Sequence, residues 1–335
     1  MTKKGREGFD SAQALCIVTP AKVNWFLEIL GKREDGYHEI ITFMVAVGLY
    51  DRLTVLSASN ADIRLEIKEG ERISDAEGKN VKLSAGPDNL VWRAADLLRQ
   101  ETGCNRGAWL ILEKHIPIGA GLGGGSSDAA ATLLLLNRYW ELNLPLSELE
   151  CLAARLGSDV PFFLNGAAAW CRGRGELVTP WPIDKSWWLV LLVPAWPVST
   201  ARVYARVSVP AVARQPESFA DALRQGDEHV LRQAIFNRLE EPARLAYPGL
   251  REVYDFAYEA GLAPVHLSGS GATFFALFAS LNRAEEAKAK AEELRVRRGI
   301  ENLRLYVVRT LTTLEVAECH NPQELANGDV RRVAE

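Results

Sequence analysis

The run Pro117-Ile118-Gly119-Ala120-Gly121-Leu122-Gly123-Gly124-Gly125-Ser126-Ser127-Asp128 constrains this chain more than any other part of it. Five glycines fall within Gly119 to Gly125, and a helix-forming segment, Ser126 to Asn137, follows at once. Glycine adopts backbone conformations that other residues resist, so such a loop can turn several N–H groups toward one point. The start of a helix adds unpaired N–H groups and partial positive charge. A loop feeding a helix in this way is built to hold phosphate; the alternative is a flexible turn with an ordinary cap. Ser126 and Ser127 are placed to cap the helix and to offer hydroxyls to phosphate oxygens.

Two common nucleotide loops are excluded. Gly119, Gly121 and Gly124 satisfy GxGxxG by letters, but a dinucleotide fold needs a second strand ending in an acidic residue about 20 positions on. Here that interval is helical from Ala129 to Trp140 and continues into ELNLPLSELE. A Walker loop carries Lys-Ser or Lys-Thr after its last glycine, and this loop has no lysine.

The rest of the chain sets the scale of the fold around that loop. With 335 residues, two domains are expected. Hydrophobic residues are 48% and charged residues 24%, the balance of a soluble globular protein. The longest apolar stretch, Trp187 to Val198, is interrupted by Pro194 and Pro197 and falls short of the roughly 20 residues that span a bilayer. A net charge of -4, from 39 basic and 43 acidic residues, excludes a long basic nucleic-acid surface but leaves room for a local patch around a small anion. Neither a nucleic acid nor a membrane is expected as partner, and protein partners stay open. Cys16, Cys104, Cys151, Cys171 and Cys319 are scattered without a CxxC pair, which suits reduced thiols in a cytoplasmic protein. Residues 1–13 lack the apolar core of a signal peptide and read as a flexible extension.

Strands are expected at Ala14–Val18, Val23–Leu30 and Ile40–Leu49, around the polar turn GKREDGYHE. Between Leu53 and Leu83, DIRLEIKEG and NVKLSAG read as hairpin strands. A helix over Asn89–Gln100, a strand over Ala108–Leu112 and a helix over Leu146–Leu156 follow. The second half begins with a buried strand at Trp187–Val193 and has helices near Pro216–Leu223 and Pro242–Ala260. It then gives Pro264–Leu267, the turn SGSG, Ala272–Phe278, a helix over Ala284–Arg297 and a strand over Leu303–Val308. That order predicts a ferredoxin-like α+β lobe. The boundary is expected between Pro180 and Ser186, giving domains 1–185 and 186–318 and a frayed polar tail, 319–335.

PIGAGLGGGSSDAA resembles the second signature of the GHMP kinases, the family of galactokinase, homoserine kinase and mevalonate kinase. PAKVNWFLEILGKREDGYHE (Pro20–Glu39) and LSGSGATFFALF (Leu267–Phe278) resemble the other two, in the same order. GSDVPFFLNGAAAWCRGRGE (Gly157–Glu176) supports the same family, and the resemblance spans about residues 15 to 310. It implies a two-lobed α+β GHMP kinase fold, with ATP as phosphate donor to an alcohol and Mg2+ accompanying ATP. The GYH of Gly36–His38 resembles members whose acceptor carries a cytidine. This implies a cytidylated methylerythritol, phosphorylated on its 2-hydroxyl on the non-mevalonate route to isoprenoids. The rival readings are a kinase for another small alcohol, such as mevalonate or homoserine, and an inactive ATP-binding module. Tyr37 and His38 argue against the first, Lys22 with Asp159 against the second.

Several residues follow as candidates. Asp159, ahead of Val160-Pro161-Phe162-Phe163, is either a catalytic base or the N-cap of a short helix; the resemblance implies the base. Lys22, flanked by Val18, Val23 and Trp25, is expected to project into a cleft, and the resemblance pairs it with Asp159. Asn24, on the same strand face, is placed to orient the acceptor. The resemblance assigns Tyr37 and His38 to the cytidine end, with Tyr204 as a second stacking aromatic and Thr200 beside it; Tyr204 could equally be a core residue. Ser268-Gly269-Ser270-Gly271 makes a hairpin turn that the resemblance aims at the catalytic cleft. Lys114 and Asn89 are expected to touch ATP, or else to be solvated. Asp128 suits a helix start but repels phosphate, so it either points away or helps place magnesium. No protein metal ligand is assigned.

Overall fold

Two long strands organise the chain. The computed structural model describes residues 14–58, 60–69, 83–313, 317–319 and 331–332. In it, β1 (Leu15–Lys32) and β2 (His38–Leu56) run antiparallel across the intervening turn. Successive strand residues point to opposite faces. Phe43, Val45 and Val47 thus enter one core while Met44 and Ala46 enter another. Because both faces of the sheet are covered, the sequence here shows a continuous apolar run rather than alternation.

The first part of the chain continues with β3 (Ile63–Glu69), α1 (Leu90–Thr102), β4 (Ala108–Lys114), α2 (Gly124–Tyr139), α3 (Leu146–Leu156), α4 (Phe162–Asn165), β5 (Ala168–Gly173) and β6 (Leu177–Pro180). The second part opens with β7 (Trp188–Pro194), α5 (Thr200–Tyr204), α6 (Glu217–Gln225), α7 (Glu228–Ala234) and β8 (Phe236–Asn237). Then come α8 (Glu240–Ala246), α9 (Gly249–Glu259), β9 (His266–Leu267), β10 (Phe274–Phe278), α10 (Leu281–Arg297) and β11 (Leu303–Arg309). Two short strands, β12 (Ala317–Cys319) and β13 (Arg331–Arg332), complete the described chain.

The larger sheet has nine strands, ordered β13-β12-β1-β2-β4-β3, with β5 also on β2, β6 on β5 and β8 on β1. The second sheet is four antiparallel strands, β11-β7-β10-β9, the ferredoxin-like arrangement expected for this lobe. Helices α1, α2 and α3 cover one face of the larger sheet. Its other face packs on the second sheet through Trp25, Phe43, Leu189, Leu191 and Phe275. Helices α8, α9 and α10 close the far side. The glycine loop lies between β4 and α2, and the SGSG turn between β9 and β10, so the two meet where the sheets face each other.

Several expectations change. β1 is continuous where two strands were expected, because a register shift between Pro20 and Ala21 absorbs the residue that cannot donate a hydrogen bond. β3 pairs parallel with β4 instead of forming a hairpin. Of NVKLSAG, residues 80–82 lie outside the described residues and Leu83–Gly86 is not strand. The helix expected over Pro242–Ala260 is two, α8 and α9, broken at Tyr247-Pro248: the residue before a proline is pushed out of helical geometry. Residues 1–13 lie outside the described residues. The tail is not uniformly frayed, since β12 pairs with β1 and β13 with β12. Cys104, Cys151 and Cys171 are free thiols, but Cys16 is disulfide-bonded, and its register partner across β1 and β12 is Cys319. The spacing of two cysteines so distant in sequence carries no sign of that facing position. Among the described residues no helix is long and apolar enough to cross a membrane.

Phe219 joins α6 to the larger sheet. Its fully buried ring lies 5.7 Å from Phe26, 5.3 Å from Phe43 and 5.8 Å from Trp170, between centroids. Phe219→Ala leaves a cavity that these rings cannot fill, at an expected cost of about 3–5 kcal/mol. Urea titration should show it as a lower midpoint at unchanged slope. A loss below about 1 kcal/mol would mean that the cluster is not tightly packed.

Candidate active site

The glycine loop owes its shape to alternation. Gly119, Gly121 and Gly123 have φ of +66°, +77° and +71°, a region that side chains resist. Ala120 and Leu122 between them are buried and anchor the loop in the core. A Cβ on Gly121 would run into Ser268 O and stand 2.7 Å from Gly271 O, so glycine is required where the two lobes touch.

Four successive carbonyls of the loop are bonded to other parts of the chain. Gly119 O accepts from Val198 N, Ala120 O from Thr273 N, Gly121 O from Ser268 Oγ and Leu122 O from Lys22 N, at 2.9 to 3.1 Å. In a trans peptide the C=O and the following N–H point in opposite directions. Holding these carbonyls outward therefore turns the N–H groups of Ala120 to Gly123 inward. Among the described residues, no protein group accepts from the N–H groups of Gly119 to Gly125. They face a pocket of about 360 Å³, lined by Pro117 to Ser126 with Asn89, Lys114 and Asp128 among its other walls.

Helix α2 begins at Gly124 with Gly123 as N-cap, and no side chain caps it. The capping expected of Ser126 and Ser127 is thus not found, because both already lie in the first turn. Ser126 borders the pocket. Ser127 does not: its buried hydroxyl donates to Pro20 O at 2.6 Å and meets Thr19 Oγ1, which ties α2 to β1 and removes Ser127 as a phosphate ligand. Asn89 borders the pocket as the N-cap of α1, its Oδ1 accepting from Val91 N at 2.9 Å.

Lys114 sits beneath the helix start, engaged by two buried carboxylates. Its Nζ donates to Asp128 Oδ2 at 2.7 Å and to Asp51 Oδ2. Asp51 Oδ1 in turn accepts from His115 N at 2.6 Å and Ile116 N at 2.8 Å, which steers the chain from β4 into the loop. Burial alone would discharge Lys114, but the two carboxylates outweigh it and keep the ammonium charged. Burial, aided by the Asp51 charge and opposed by Lys114, pushes the Asp128 carboxyl up to about 7. Asp128 therefore does not confront phosphate as a bare charge; Lys114 holds one oxygen, and Oδ1 is buried without a partner.

A second cavity, of about 760 Å³, opens on the other side of the loop. Lys22 and Asn24 enter it from β1. Lys22 Nζ lies 3.3 Å from Asp159 Oδ2 and donates to Asn24 Oδ1 at 2.7 Å. Asn24 Nδ2 donates to Thr42 Oγ1 at 2.9 Å, and Thr42 donates to Phe26 O at 2.6 Å, so the amide has one orientation. Lys22 is buried, whereas Asp159 keeps 35% of its side chain exposed toward the cavity. Pro161 is the N-cap of α4 and no side chain caps it, so Asp159 is not occupied as a cap.

At the far end, His38 and Tyr204 pack with ring centroids 5.2 Å apart, and Tyr37, 53% exposed, lies 4.8 Å from the Arg174 guanidinium. Burial and the Lys32 charge hold the His38 imidazole below its usual pKa, so it is neutral at neutral pH. Thr200 Oγ1 meets Ser270 Oγ at 2.9 Å, bringing α5 onto the SGSG turn. The residues expected at Lys22, Asn24, Tyr37, His38, Asp159, Thr200, Tyr204, Gly269 and Ser270 therefore line one cavity. Ser268 and Gly271 stand behind it, supporting the glycine loop and the turn. Sequence reasoning missed Lys32, Thr42, Asp51 and Arg174. Arg174 stood in the CRGRGE segment, but a single arginine there looks like any surface cation.

A phosphate cradle beside a lysine–carboxylate pair, on two lobes joined in this way, defines a GHMP-type small-molecule kinase. The pattern describing the GHMP kinases N terminal domain matches residues 89–167, and that for the GHMP kinases C terminal matches residues 219–295. A 4-diphosphocytidyl-2-C-methyl-D-erythritol kinase of Alkaliphilus metalliredigens is 37% identical over 269 residues, covering 80% of this chain and 89% of its own. The enzyme of that name from Symbiobacterium thermophilum is 41% identical over 256 residues, covering 75% and 86%. A crystal structure of 4-(cytidine 5'-diphospho)-2C-methyl-D-erythritol kinase superposes with a TM-score of 0.68 at 35% identity, covering 88% of this chain and 98% of that one. A homoserine kinase from Cytophaga hutchinsonii shares the fold, at 17% identity and a TM-score of 0.65. The chain belongs to the 4-diphosphocytidyl-2-C-methyl-D-erythritol kinase family within the GHMP kinases.

Two expected outcomes follow from this geometry. Gly121→Ala forces a side chain into an unfavourable φ and against two carbonyls. Its affinity for a non-hydrolysable ATP analogue should fall about tenfold or more by calorimetry; an unchanged affinity would mean that the loop is not the phosphate cradle. The second concerns pH. With Asp128 titrating at about 7 when folded and 3.8 as its ordinary value, the native state binds the extra proton across that window. The stability this confers is complete below the lower value and is lost as pH rises through the upper one. Asp128→Asn should therefore gain stability relative to the unmodified protein as pH rises from about 4 to about 7, and parallel stability curves would contradict this.

Proposed function

We propose that the protein transfers the γ-phosphoryl group of ATP to the 2-hydroxyl of 4-diphosphocytidyl-2-C-methyl-D-erythritol, releasing ADP on a route to isoprenoid precursors in the cytoplasm. One observation carries this reading. Gly121 and Gly123 line both cavities, and the Lys22–Asp159 pair stands at that junction, where a phosphate in one cavity meets a hydroxyl in the other.

Phosphoryl transfer asks for positioning and for cancellation of charge more than for covalent chemistry. Asp159 accepts the acceptor's proton as the hydroxyl oxygen bonds to the γ-phosphorus and the bond to the β-phosphate oxygen breaks. Lys22, its Nζ 3.3 Å from that carboxylate, donates toward the attacking oxygen. Asn24, its amide fixed by Thr42, orients the alcohol. The inward N–H groups of the loop and the start of α2 offset the charge on the phosphates. The neutral His38 offers the cytosine both a donor and an acceptor, while Tyr37 and Tyr204 supply aromatic surface. Lys32 and Arg174, at the same end, lie where the diphosphate of the acceptor needs cations. Magnesium arriving with ATP would supply neutralisation of phosphate charge. Ser126, through its hydroxyl, and Asp128, through its unpartnered Oδ1, are the oxygen donors at this pocket that would hold it.

The test is ADP release with ATP, magnesium and a panel of acceptors comprising the cytidylated methylerythritol, mevalonate and homoserine. Turnover with the first alone is expected; turnover with mevalonate or homoserine instead would refute the substrate assignment. Asp159→Asn, close in shape, should lower kcat by about 10²–10⁴-fold with an unaltered unfolding midpoint. Near-normal turnover in that variant would remove Asp159 from the base role.

A further inference from the structure

Asn237 lies outside every segment singled out from the sequence, on the two-residue strand β8. Its backbone belongs to the larger sheet: Phe236 and Asn237 pair with Phe26 and Leu27 of β1, and Arg238 N donates to Leu27 O at 2.9 Å. The next side chain bolts the junction. Arg238 makes a two-pronged contact with Glu28, at 2.8 and 2.7 Å, and Glu28 also accepts from Arg214 N and Ile29 N. Burial would raise the Glu28 carboxyl, but these four donations outweigh it and hold it below the usual range. β8 is thereby fixed to the strand that carries Lys22 and Asn24.

The Asn237 side chain reaches the other way, into the second lobe. Its Nδ2 donates to Leu267 O at 2.8 Å and to Gly269 O at 2.7 Å, while Oδ1 accepts from Leu239 N at 2.9 Å. The amide is buried and its hydrogen-bonding capacity is nearly filled, so its orientation is determined. Gly269 packs against the lysine: a Cβ there would be 3.4 Å from both Lys22 Nζ and Asn24 Oδ1. The Gly269–Ser270 peptide is trans, so drawing Gly269 O onto Asn237 points Ser270 N–H the opposite way. Gly269 and Ser270 line the acceptor cavity, and among the described residues Ser270 N–H has no protein acceptor.

We infer that Asn237 is a positioning residue for phosphoryl transfer: by holding Gly269 O it aims the Ser270 N–H at the transferred phosphoryl group and sets that donor's distance from Lys22. The inference rests on the kinase reading above. A donor that meets the phosphoryl group as it crosses between the cavities acts on the transition state more than on either bound substrate. Its loss should therefore appear in kcat and spare KM.

Two variants test this in the full-length protein, assayed with ATP, magnesium and the cytidylated methylerythritol. Asn237→Ala frees the Gly269 carbonyl. It should lower kcat by about 10- to 100-fold, less than the 10²–10³ of deleting a direct donor, and move either KM by less than about threefold. Replacing the Ser270 amide by an ester, through incorporation of the α-hydroxy acid, removes the N–H and leaves Asn237 intact. It should lower kcat at least as far as Asn237→Ala does, and combining the two changes should cost little more than the ester alone. An ester variant with unchanged kcat would overturn the inference whether or not Asn237→Ala folds. So would an Asn237→Ala protein whose losses fall on KM with kcat preserved. Failure of the kinase reading looks different, because the unmodified protein would then not phosphorylate this acceptor at all.

Discussion

The structure depends on how the carbonyls of one loop are bonded. A glycine loop left to itself samples many conformations, and its N–H groups converge only transiently. Here Val198, Thr273, Ser268 and Lys22, from three separate parts of the chain, each take one carbonyl of Gly119 to Leu122. The loop is thereby ordered by the fold itself, and the cost of ordering it is met during folding. The bonds from Val198, Ser268 and Thr273 also join the two lobes, so the loop and the lobe interface are one construction.

Apart from the Lys22–Asp159 pair, two clusters of buried charge among the described residues each have a geometric consequence. Asp51, Lys114 and Asp128 lie beneath the loop, where Asp51 aligns the N–H groups of His115 and Ile116 while binding the ammonium. Glu28 and Arg238, next in sequence to Leu27 and Leu239 of the cavity that holds Lys22 and Asp159, bind β8 to β1. Groups of this kind stabilise little in net terms, since taking charge out of water offsets much of the attraction. What they provide is direction, because a charged partner removed from water tolerates few alternative geometries. Each cluster stands directly behind a segment whose backbone must point one way.

Much of this was legible beforehand. The GAGLGGGSS run announced a glycine loop running into a helix, and the order of strands and helices announced the second sheet. Helix boundaries at Leu146–Leu156 and Leu90–Thr102 came close because amphipathic spacing and caps are local properties. Ser127 misled, because a serine next to a helix start looks like a ligand or cap, whereas its hydroxyl serves Pro20 on a strand 107 positions away. Asp51 gave no sign at all: one acidic residue in a strand resembles any other until Lys114 is brought to it. Asn237 and the Cys16 register partner were hidden for the same reason.

By itself, then, the amino-acid sequence determined the element types, the placing of glycines where positive φ is needed, and the chemistry on offer: a lysine, an aspartate, a loop rich in free N–H groups and an aromatic–imidazole pair. Those properties depend on neighbours a few positions apart. The tertiary structure decided which groups meet. It set Asp159 3.3 Å from Lys22, gave Lys114 to two carboxylates, and turned loop carbonyls outward by bonds to residues as far as 147 positions away or more. Hydrogen bonds and ion pairs act over a few ångströms, so their partners are selected only when distant segments are packed together.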